Sequence, residues 1–204
     1  DTTDTHTVTV SDNVDASWSG GTLTSDQITA LTGGFSADTD SWDYTVANSA
    51  TQFLADGETV TFSYDVTVTD DSGTSNDFDT ETVTITINGT NDDPVLSVEA
   101  TGSVTEDAST TVLTDSGTLS FTDVDTTDTH TVSVSDNVDA SWTGGTLSAA
   151  QITALTGGFS ADSDSWDYTV ANADTQFLAD GETVTFSYDV TVTDDSSGTA
   201  TDTE

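Results

Sequence analysis

The residues in this chain that can do chemistry are its clustered carboxylates. Hard divalent cations such as Ca²⁺ bind about six to eight oxygen atoms from carboxylates and carbonyls. Carboxylates that crowd together without a basic partner repel one another unless a cation lies between them. The densest clusters lie on either side of the single proline, Pro94. The predicted Ca²⁺ ligands are Asp70, Asp71, Asn91, Asp92, Asp93, Glu106, Asp107, Asp123, Asp125 and Asp128.

The net charge excludes several classes of partner. The 204 residues include 38 acidic residues and no Lys or Arg, which gives a formal charge of −38. Nothing in the chain can neutralise a phosphate, so nucleic acid is excluded as a partner. Docking on an anionic membrane through a basic patch is excluded for the same reason. The alternative to a cation site is an acidic surface balanced by solvent counterions, and this alternative stays open.

Other chemistry has weaker support in the sequence. The chain has no Cys, so thiolate metal sites and disulfides are absent. His6 and His130 occupy equivalent places in two repeats, which favours a structural or exposed role. No nucleophile motif of the G-x-S-x-G type is present, and we do not expect an enzyme. Trp18 and Trp142 are interpreted as core residues, with a binding platform for sugars as the alternative.

The elements that position these residues belong to an internal repeat with a period of 124 residues. Residues 1–71 recur as residues 125–195, which predicts a segment of a tandem array. The chain contains no Met, and we expect it to be part of a longer protein. The first copy differs from the second at eight of these positions: 9, 19, 24, 25, 26, 39, 49 and 50.

The hydrophobic pattern predicts an all-β fold. Apolar and polar residues alternate from Thr59 to Thr69, which is the period of a half-buried strand. Shorter alternating runs are separated by turn signals, as in an antiparallel β-sandwich. The segment from Thr24 to Gly34 has a capping residue and a terminal glycine, which predicts one short helix. Its copy runs from Ser148 to Gly158.

A domain boundary is predicted next to the proline. Residues 88–94 read Asn-Gly-Thr-Asn-Asp-Asp-Pro, and they lie between two predicted strands, as an inter-domain linker does. We therefore divide the chain into an N-terminally incomplete repeat, 1–92, and a C-terminally incomplete repeat, 93–204. The tandem domains are predicted to be Ig-like antiparallel sandwiches, each with one short helix.

Three stretches resemble the VCBS repeats of large bacterial surface proteins. They read Val-Thr-Glu-Asp at 104–107, Ser-Gly-Thr-Leu-Ser-Phe-Thr-Asp-Val-Asp at 116–125, and Leu-Ala-Asp-Gly-Glu at 54–58. The third stretch continues through the strand ending at Asp70 to Asn91-Asp92-Asp93-Pro94. More loosely, this last motif and Asp123-Val124-Asp125 are similar to the calcium-binding linkers of cadherins. The unit is longer than is usual among VCBS repeats, and the excess lies in residues 11–40.

This resemblance implies a function that spacing alone does not. Such repeats are secreted, form the extender regions of adhesins of the RTX type and of biofilm proteins, and commonly bind Ca²⁺ between domains. We therefore expect a calcium-stiffened stalk on the bacterial cell surface, with neighbouring repeats as partners and no direct membrane contact. One alternative is a subunit of an extracellular filament or surface layer, assembled by strand exchange between copies of the chain. Another alternative is a glycan-binding module.

Overall fold

The structure is a computed structural model, and it describes residues 4–74, 77–196 and the backbone of 201–203. The chain forms two compact units. The first unit contains Asp1–Asp92 together with Val124–Thr127. The second unit contains Asp93–Asp123 and Asp128–Glu204. Each unit is described by itself below.

The sheet of the first unit is built around one long strand. The strands of this unit are β1 His6–Asp12, β2 Ser17–Trp18, β3 Phe35–Ala37, β4 Trp42–Tyr44, β5 Thr59–Asp70 and β6 Phe78–Asn88. Strand β5 pairs antiparallel with β1 and β2 on one edge and with β6 on the other. Strands β3 and β4 form a separate antiparallel pair.

The second unit repeats part of this arrangement and adds two strands before it. Its strands are β7 Val95–Val98, β8 Val112–Thr122, β9 His130–Asp136, β10 Ser141–Trp142, β11 Phe159–Ala161, β12 Ser165–Ala171, β13 Val184–Thr185, β14 Tyr188–Asp194 and β15 Thr201–Thr203. One sheet has the order β11-β12-β8-β7, and another has the order β15-β14-β9. Strands β10 and β13 form a third, two-stranded sheet. The prediction that the chain is mostly β is confirmed.

Among the described residues, one short α-helix occurs in each unit, where the sequence predicts it. Helix α1 spans Ser25–Thr32 and helix α2 spans Ala149–Thr156. Each begins with a capping box, in which the N-cap hydroxyl and the Gln three residues later satisfy each other's backbone N–H groups. No helix in the described ranges is long and apolar enough to cross a membrane.

The apolar faces of these strands form the cores. In the first unit, the predicted inward face of β5 is buried at Val60, Phe62 and Tyr64, which pack with Leu31 of α1 and Ile85 of β6. The second unit has two buried clusters. One lies against α2 and contains Leu113, Leu155, Trp166, Tyr168 and Val170, and the other contains Leu96, Leu119, Val190 and Val192.

Tyrosine hydroxyls connect the sheets to the last turn of each helix. Tyr44 donates a hydrogen bond to the carbonyl of Leu31 at 2.7 Å, and its copy Tyr168 donates to Leu155 at 2.7 Å. Burial raises the pKa of Tyr168 to about 12. Burial, followed by the charge of Asp12, likewise raises the pKa of Tyr64 to about 12.

These tyrosines predict that the fold loses stability at alkaline pH. Unfolded tyrosines ionise near pH 10, whereas Tyr64 and Tyr168 ionise near pH 12 in the folded chain. The folded state therefore holds more protons between about pH 10 and 12, and rising pH favours unfolding across this window. The chain has no Lys, Arg or Cys, so tyrosines are the only side chains that titrate there; burial also raises the pKa of Tyr44 and Tyr188.

Absorbance at 295 nm and circular dichroism, recorded together against pH, test this prediction. We expect tyrosinate to appear above pH 10 in step with the loss of β structure. Complete ionisation near pH 10 with an unchanged dichroism spectrum would contradict it.

Candidate metal centre

Three aspartates of the second unit meet at one end of its strands. One carboxylate oxygen from each of Asp123, Asp128 and Asp194 lies within 4.8 Å of the other two. Asp123 directly follows β8, Asp128 precedes β9, and Asp194 is the last residue of β14. Strands β9 and β14 pair antiparallel with His130 opposite Asp194. The register therefore brings the end of β14 to the loop that contains the other two aspartates.

A histidine holds the first of these carboxylates in place. His130 donates from Nε2 to Oδ2 of Asp123 at 2.8 Å. The Asp123 side chain is only 4% exposed. The ring of His130 lies against Phe121, with the ring centroids 4.8 Å apart. Asp123 is therefore oriented by its neighbours and has little freedom to turn away from the cluster.

Hydroxyl and backbone groups fix the other side of the cluster. Ser196 donates from Oγ to Oδ2 of Asp128 at 2.8 Å and from its backbone N–H to Oδ1 of Asp194 at 3.0 Å. Thr129 donates its backbone N–H to Oδ1 of Asp195 at 2.7 Å. Burial raises the pKa of Asp128, and the charges of Asp194, Asp195 and Asp123 raise it further. The cluster thus concentrates negative charge in a partly buried place.

The donor set fits a hard divalent cation. All three groups are carboxylates, and oxygen-only sites suit Ca²⁺, Mg²⁺ or Mn²⁺ rather than softer metals. Carboxylates bind Ca²⁺ through one or both oxygens, and waters or backbone carbonyls complete its shell. The chain has no Lys or Arg, and the basic side chain that contacts the cluster, His130, reaches only Asp123. The site is suited to holding an ion in place.

A second group of predicted ligands meets in the first unit. The backbone N–H of Asp92 donates to Oδ2 of Asp125 at 2.7 Å, and Asp125 is only 2% exposed. Asn91 directly precedes Asp92 in the chain, and its side-chain oxygen Oδ1 is also buried. Within the described residues, Oδ2 of Asp92 is buried without a hydrogen-bond partner. A predicted ligand of the linker, Asp92, is thus in direct contact with a predicted ligand of the loop after β8, Asp125.

Asp70 and Asp71 lie elsewhere in the first unit, at the end of β5. Asp70 accepts a hydrogen bond from the backbone N–H of Ser72 at 2.8 Å. Hydrogen bonds from Ser72 hold the pKa of Asp70 below its usual range. Asp71 accepts from the backbone and hydroxyl of Thr5, at 3.2 and 2.9 Å. Both carboxylates stabilise local chain structure.

The remaining predicted ligands are also engaged locally. Glu106 accepts from Nε2 of Gln176 at 2.9 Å. Asp107 accepts from the hydroxyl of Thr110 and from its backbone N–H at 2.6 Å, and these bonds hold its pKa at about 2. Asp93 is exposed. None of these three belongs to the metal-ligating group found within the described residues.

The two tryptophans proposed as a sugar platform make packing contacts. Trp18 donates from Nε1 to Oε2 of Glu58 at 2.9 Å. Its ring meets Phe53 edge to face, with centroids 5.0 Å apart. Trp142 repeats this arrangement, at 5.0 Å from Phe177. One edge of each ring and its polar nitrogen are therefore occupied, and sugar binding stays a prediction.

The sequence selected Asp123 and Asp128 but missed Asp194 as the third member of the cluster. The repeat itself could have identified Asp194. It is the copy of Asp70, and the sequence analysis predicted Asp70 as a ligand. The prediction associated Asp70 with the following linker, whereas the structure brings its copy to Asp123 and Asp128 through strand pairing inside the second unit.

No model of a known protein family matches this chain. No curated protein matches it either.

Proposed function

We propose that this chain is a structural extender from a secreted bacterial surface adhesin or biofilm protein, built from tandem Ig-like, cadherin-like domains and stiffened by Ca²⁺. The observation that carries the proposal is the cluster of Asp123, Asp128 and Asp194 in a chain without basic residues. Two nearly identical copies in succession favour a spacer, because a stalk gains length from each added repeat. The high negative charge favours solubility and self-repulsion in a long protein.

The cation would act by joining chain segments that are distant in sequence. Asp194 lies 71 residues after Asp123, and both come from strand ends (194 − 123 = 71). Without an ion, the three carboxylates repel one another across less than 4.8 Å. With an ion, the same groups become a cross-link between β8, β9 and β14. The balance between these two states would make the stability of the unit depend on Ca²⁺.

A related role is proposed for Asn91, Asp92 and Asp125 at the 92/93 boundary. The buried oxygens of these residues support it, as does the hydrogen bond that joins Asp92 to Asp125. An ion bound there would restrain the chain where the sequence changes from one repeat to the next. This is the linker position at which the resemblance implies Ca²⁺.

Calorimetric titration of Ca²⁺ into the full chain in 1 M NaCl tests the proposal. At this salt concentration the Debye length is about 3 Å, so general attraction to an acidic surface is screened. We expect saturable binding with a dissociation constant of roughly 10⁻⁴ to 10⁻³ M, as in extracellular calcium modules. Mg²⁺ should bind more weakly, because it requires near-ideal octahedral geometry and gives up its waters reluctantly. If no saturable heat appears at Ca²⁺ concentrations up to 10-fold above this range, the proposal fails and the acidic residues form only a solvated surface.

A further inference from the structure

Strand β6 ends at the single Asn–Gly pair of the sequence, Asn88 and Gly89. Asn88 is exposed and lies opposite Thr59 of β5. In such a pair the backbone nitrogen of the glycine can attack the side-chain amide carbon of the asparagine, because glycine has no side chain to hinder the approach. The two reacting groups are therefore neighbours in the chain, and the fold decides whether they meet.

The fold engages the nitrogen that would attack. The backbone N–H of Gly89 donates to the carbonyl of Glu58 at 2.8 Å. This hydrogen bond continues the pairing of β5 with β6 by one residue, since Thr59 is the first residue of β5 and Asn88 is the last of β6. The bond keeps the proton on the nitrogen and directs the N–H to the neighbouring chain segment. Gly89 must lose this bond before its nitrogen can attack Asn88.

Packing explains why a glycine follows Asn88. A Cβ atom on Gly89 would lie 2.2 Å from the carbonyl oxygen of Ala55 and 2.6 Å from that of Leu54. A Cβ atom does not approach backbone oxygens so closely, so any side chain at this position would displace the packed segment. The close packing that requires glycine thus also creates the reactive pair.

The carbonyl that engages Gly89 belongs to a tight turn, residues 55–58. The backbone N–H of Glu58 donates to the carbonyl of Ala55 at 3.1 Å. In the other direction, Oε2 of Glu58 accepts from the backbone N–H of Ala55 at 3.1 Å and from Nε1 of Trp18 at 2.9 Å. The Glu58 side chain therefore closes the turn, and its loss would free the turn to open and to release Gly89.

We propose that Asn88 is a modification site that is closed while the turn at 55–58 is formed and that reacts irreversibly when the turn opens. In the open state, the nitrogen of Gly89 attacks Cγ of Asn88, an N–Cγ bond forms, and the Cγ–Nδ2 bond breaks. The amide group leaves as ammonia with the proton of Gly89. Water then opens the resulting succinimide at Cγ or at the backbone carbonyl carbon, which gives aspartate or isoaspartate. The inference is independent of the cation site.

The modified chain no longer fits the native arrangement. An isoaspartate at position 88 passes the main chain through its side-chain carbons and so inserts one methylene group before Gly89. Gly89 has no room even for a Cβ atom, so it cannot restore both its packing and its bond to Glu58. Either product also adds a carboxylate close in sequence to Asp92 and Asp93, in a chain without Lys or Arg. The reaction would therefore permanently mark chains in which this turn has opened.

Mass spectrometry of the peptide that carries Asn88 tests the proposal. The full chain is incubated at mildly alkaline pH, digested with pepsin and scored for the mass increase that accompanies replacement of the amide by a hydroxyl. A synthetic peptide of residues 84–93 supplies the rate for an unfolded segment. We expect the folded chain to react roughly tenfold or more slowly than this peptide, because only the open state reacts. Equal rates in the two would overturn the proposal.

Two glutamates provide a matched pair of variants. Glu58→Ala should speed the reaction at Asn88 roughly tenfold, since each hydrogen bond that the turn loses makes its opening easier. Glu182, the copy of Glu58, accepts from Trp142 and Ala179 in the same way. It belongs to the second unit, so Glu182→Ala should leave the rate at Asn88 unchanged. Equal acceleration by both variants, or acceleration by neither, would overturn the proposal.

A measurement on the unchanged chain covers the case in which Glu58→Ala does not fold. In urea below the unfolding transition, the rate at Asn88 should rise in proportion to hydrogen exchange at the Gly89 N–H, because both require the same opening. Asn88→Gln keeps the amide but lengthens its link to the main chain, and it should abolish the mass increase in this peptide. A reaction rate that stays constant while exchange rises would overturn the proposal.

Discussion

Replacing Trp166 with Ala is expected to destabilise the second unit by about 3–5 kcal/mol, the usual cost of deleting a buried large aromatic side chain. Trp166 is 4% exposed. Its Nε1 donates to the carbonyl of Glu99 at 2.9 Å, and its ring stacks on Phe159 with centroids 5.7 Å apart. The substitution leaves a cavity beside Gly117 of β8 and removes the hydrogen-bond donor to the Glu99 carbonyl.

The repeat supplies a matched control for this prediction. Trp42 occupies the equivalent position in the first copy of the repeat, but Trp42 is half exposed. We expect Trp42→Ala to cost about 1 kcal/mol or less, because little apolar surface is removed from a packed environment. A similar cost for both substitutions would mean that Trp166 is not held by the β7 and β8 segment.

Hydrogen exchange with peptic digestion can measure the two units separately. Residues 78–88 of β6 occur only in the first unit, and residues 112–122 of β8 occur only in the second, so their peptides are unambiguous. Trp166→Ala should speed exchange in β8 by roughly a hundredfold or more, since 1.4 kcal/mol corresponds to about a tenfold change. Exchange in β6 should stay close to that of the unchanged chain.

Replacing Asp194 with Asn is expected to remove the stabilisation of the second unit by Ca²⁺. At 10 mM Ca²⁺ and a dissociation constant of 10⁻⁴ to 10⁻³ M, binding to the folded state contributes roughly 1.4–2.7 kcal/mol. That corresponds to a rise of roughly 5–15 °C in melting temperature for a unit of this size. Asn keeps the oxygen that accepts from Ser196 but supplies no charge to the ion.

In the presence of chelator, the same substitution should no longer lower the melting temperature. Without Ca²⁺, Asn at position 194 relieves repulsion from Asp123 and Asp128, so the variant should melt at or above the temperature of the unchanged chain. Asp70→Asn is the matched control, because Asp70 is the copy of Asp194 and belongs to no metal-ligating group within the described residues. It should retain the full Ca²⁺ shift. A full shift in Asp194→Asn would exclude this aspartate as a ligand.

Local patterns predicted most of the individual elements. The alternation from Thr59 to Thr69 predicted β5, which the structure places at Thr59–Asp70. The helix predicted between Thr24 and Gly34 forms at Ser25–Thr32. These elements follow from side-chain period and capping, which a short window of sequence contains.

The lengths and pairing of the other strands depend on partner strands that are distant in sequence. The identical segments at 59–70 and 183–194 form one continuous strand beside β6 but two shorter strands, β13 and β14, in the second unit. The same dependence on a partner strand separates β4 from β12. The metal cluster was only partly predicted for this reason, since Asp194 reaches Asp123 through strand register and not through proximity in the chain.

The carboxylate cluster is proposed to bind Ca²⁺ and thereby to stabilise the second unit. The most direct test is thermal unfolding of the full chain in 1 M NaCl, with 10 mM Ca²⁺ and with chelator, because this salt concentration reduces the Debye length to about 3 Å and screens general repulsion. We predict a melting temperature for the second unit that is roughly 5–15 °C higher with Ca²⁺. Equal melting temperatures under the two conditions would contradict the claim and identify the acidic residues as a solvated surface.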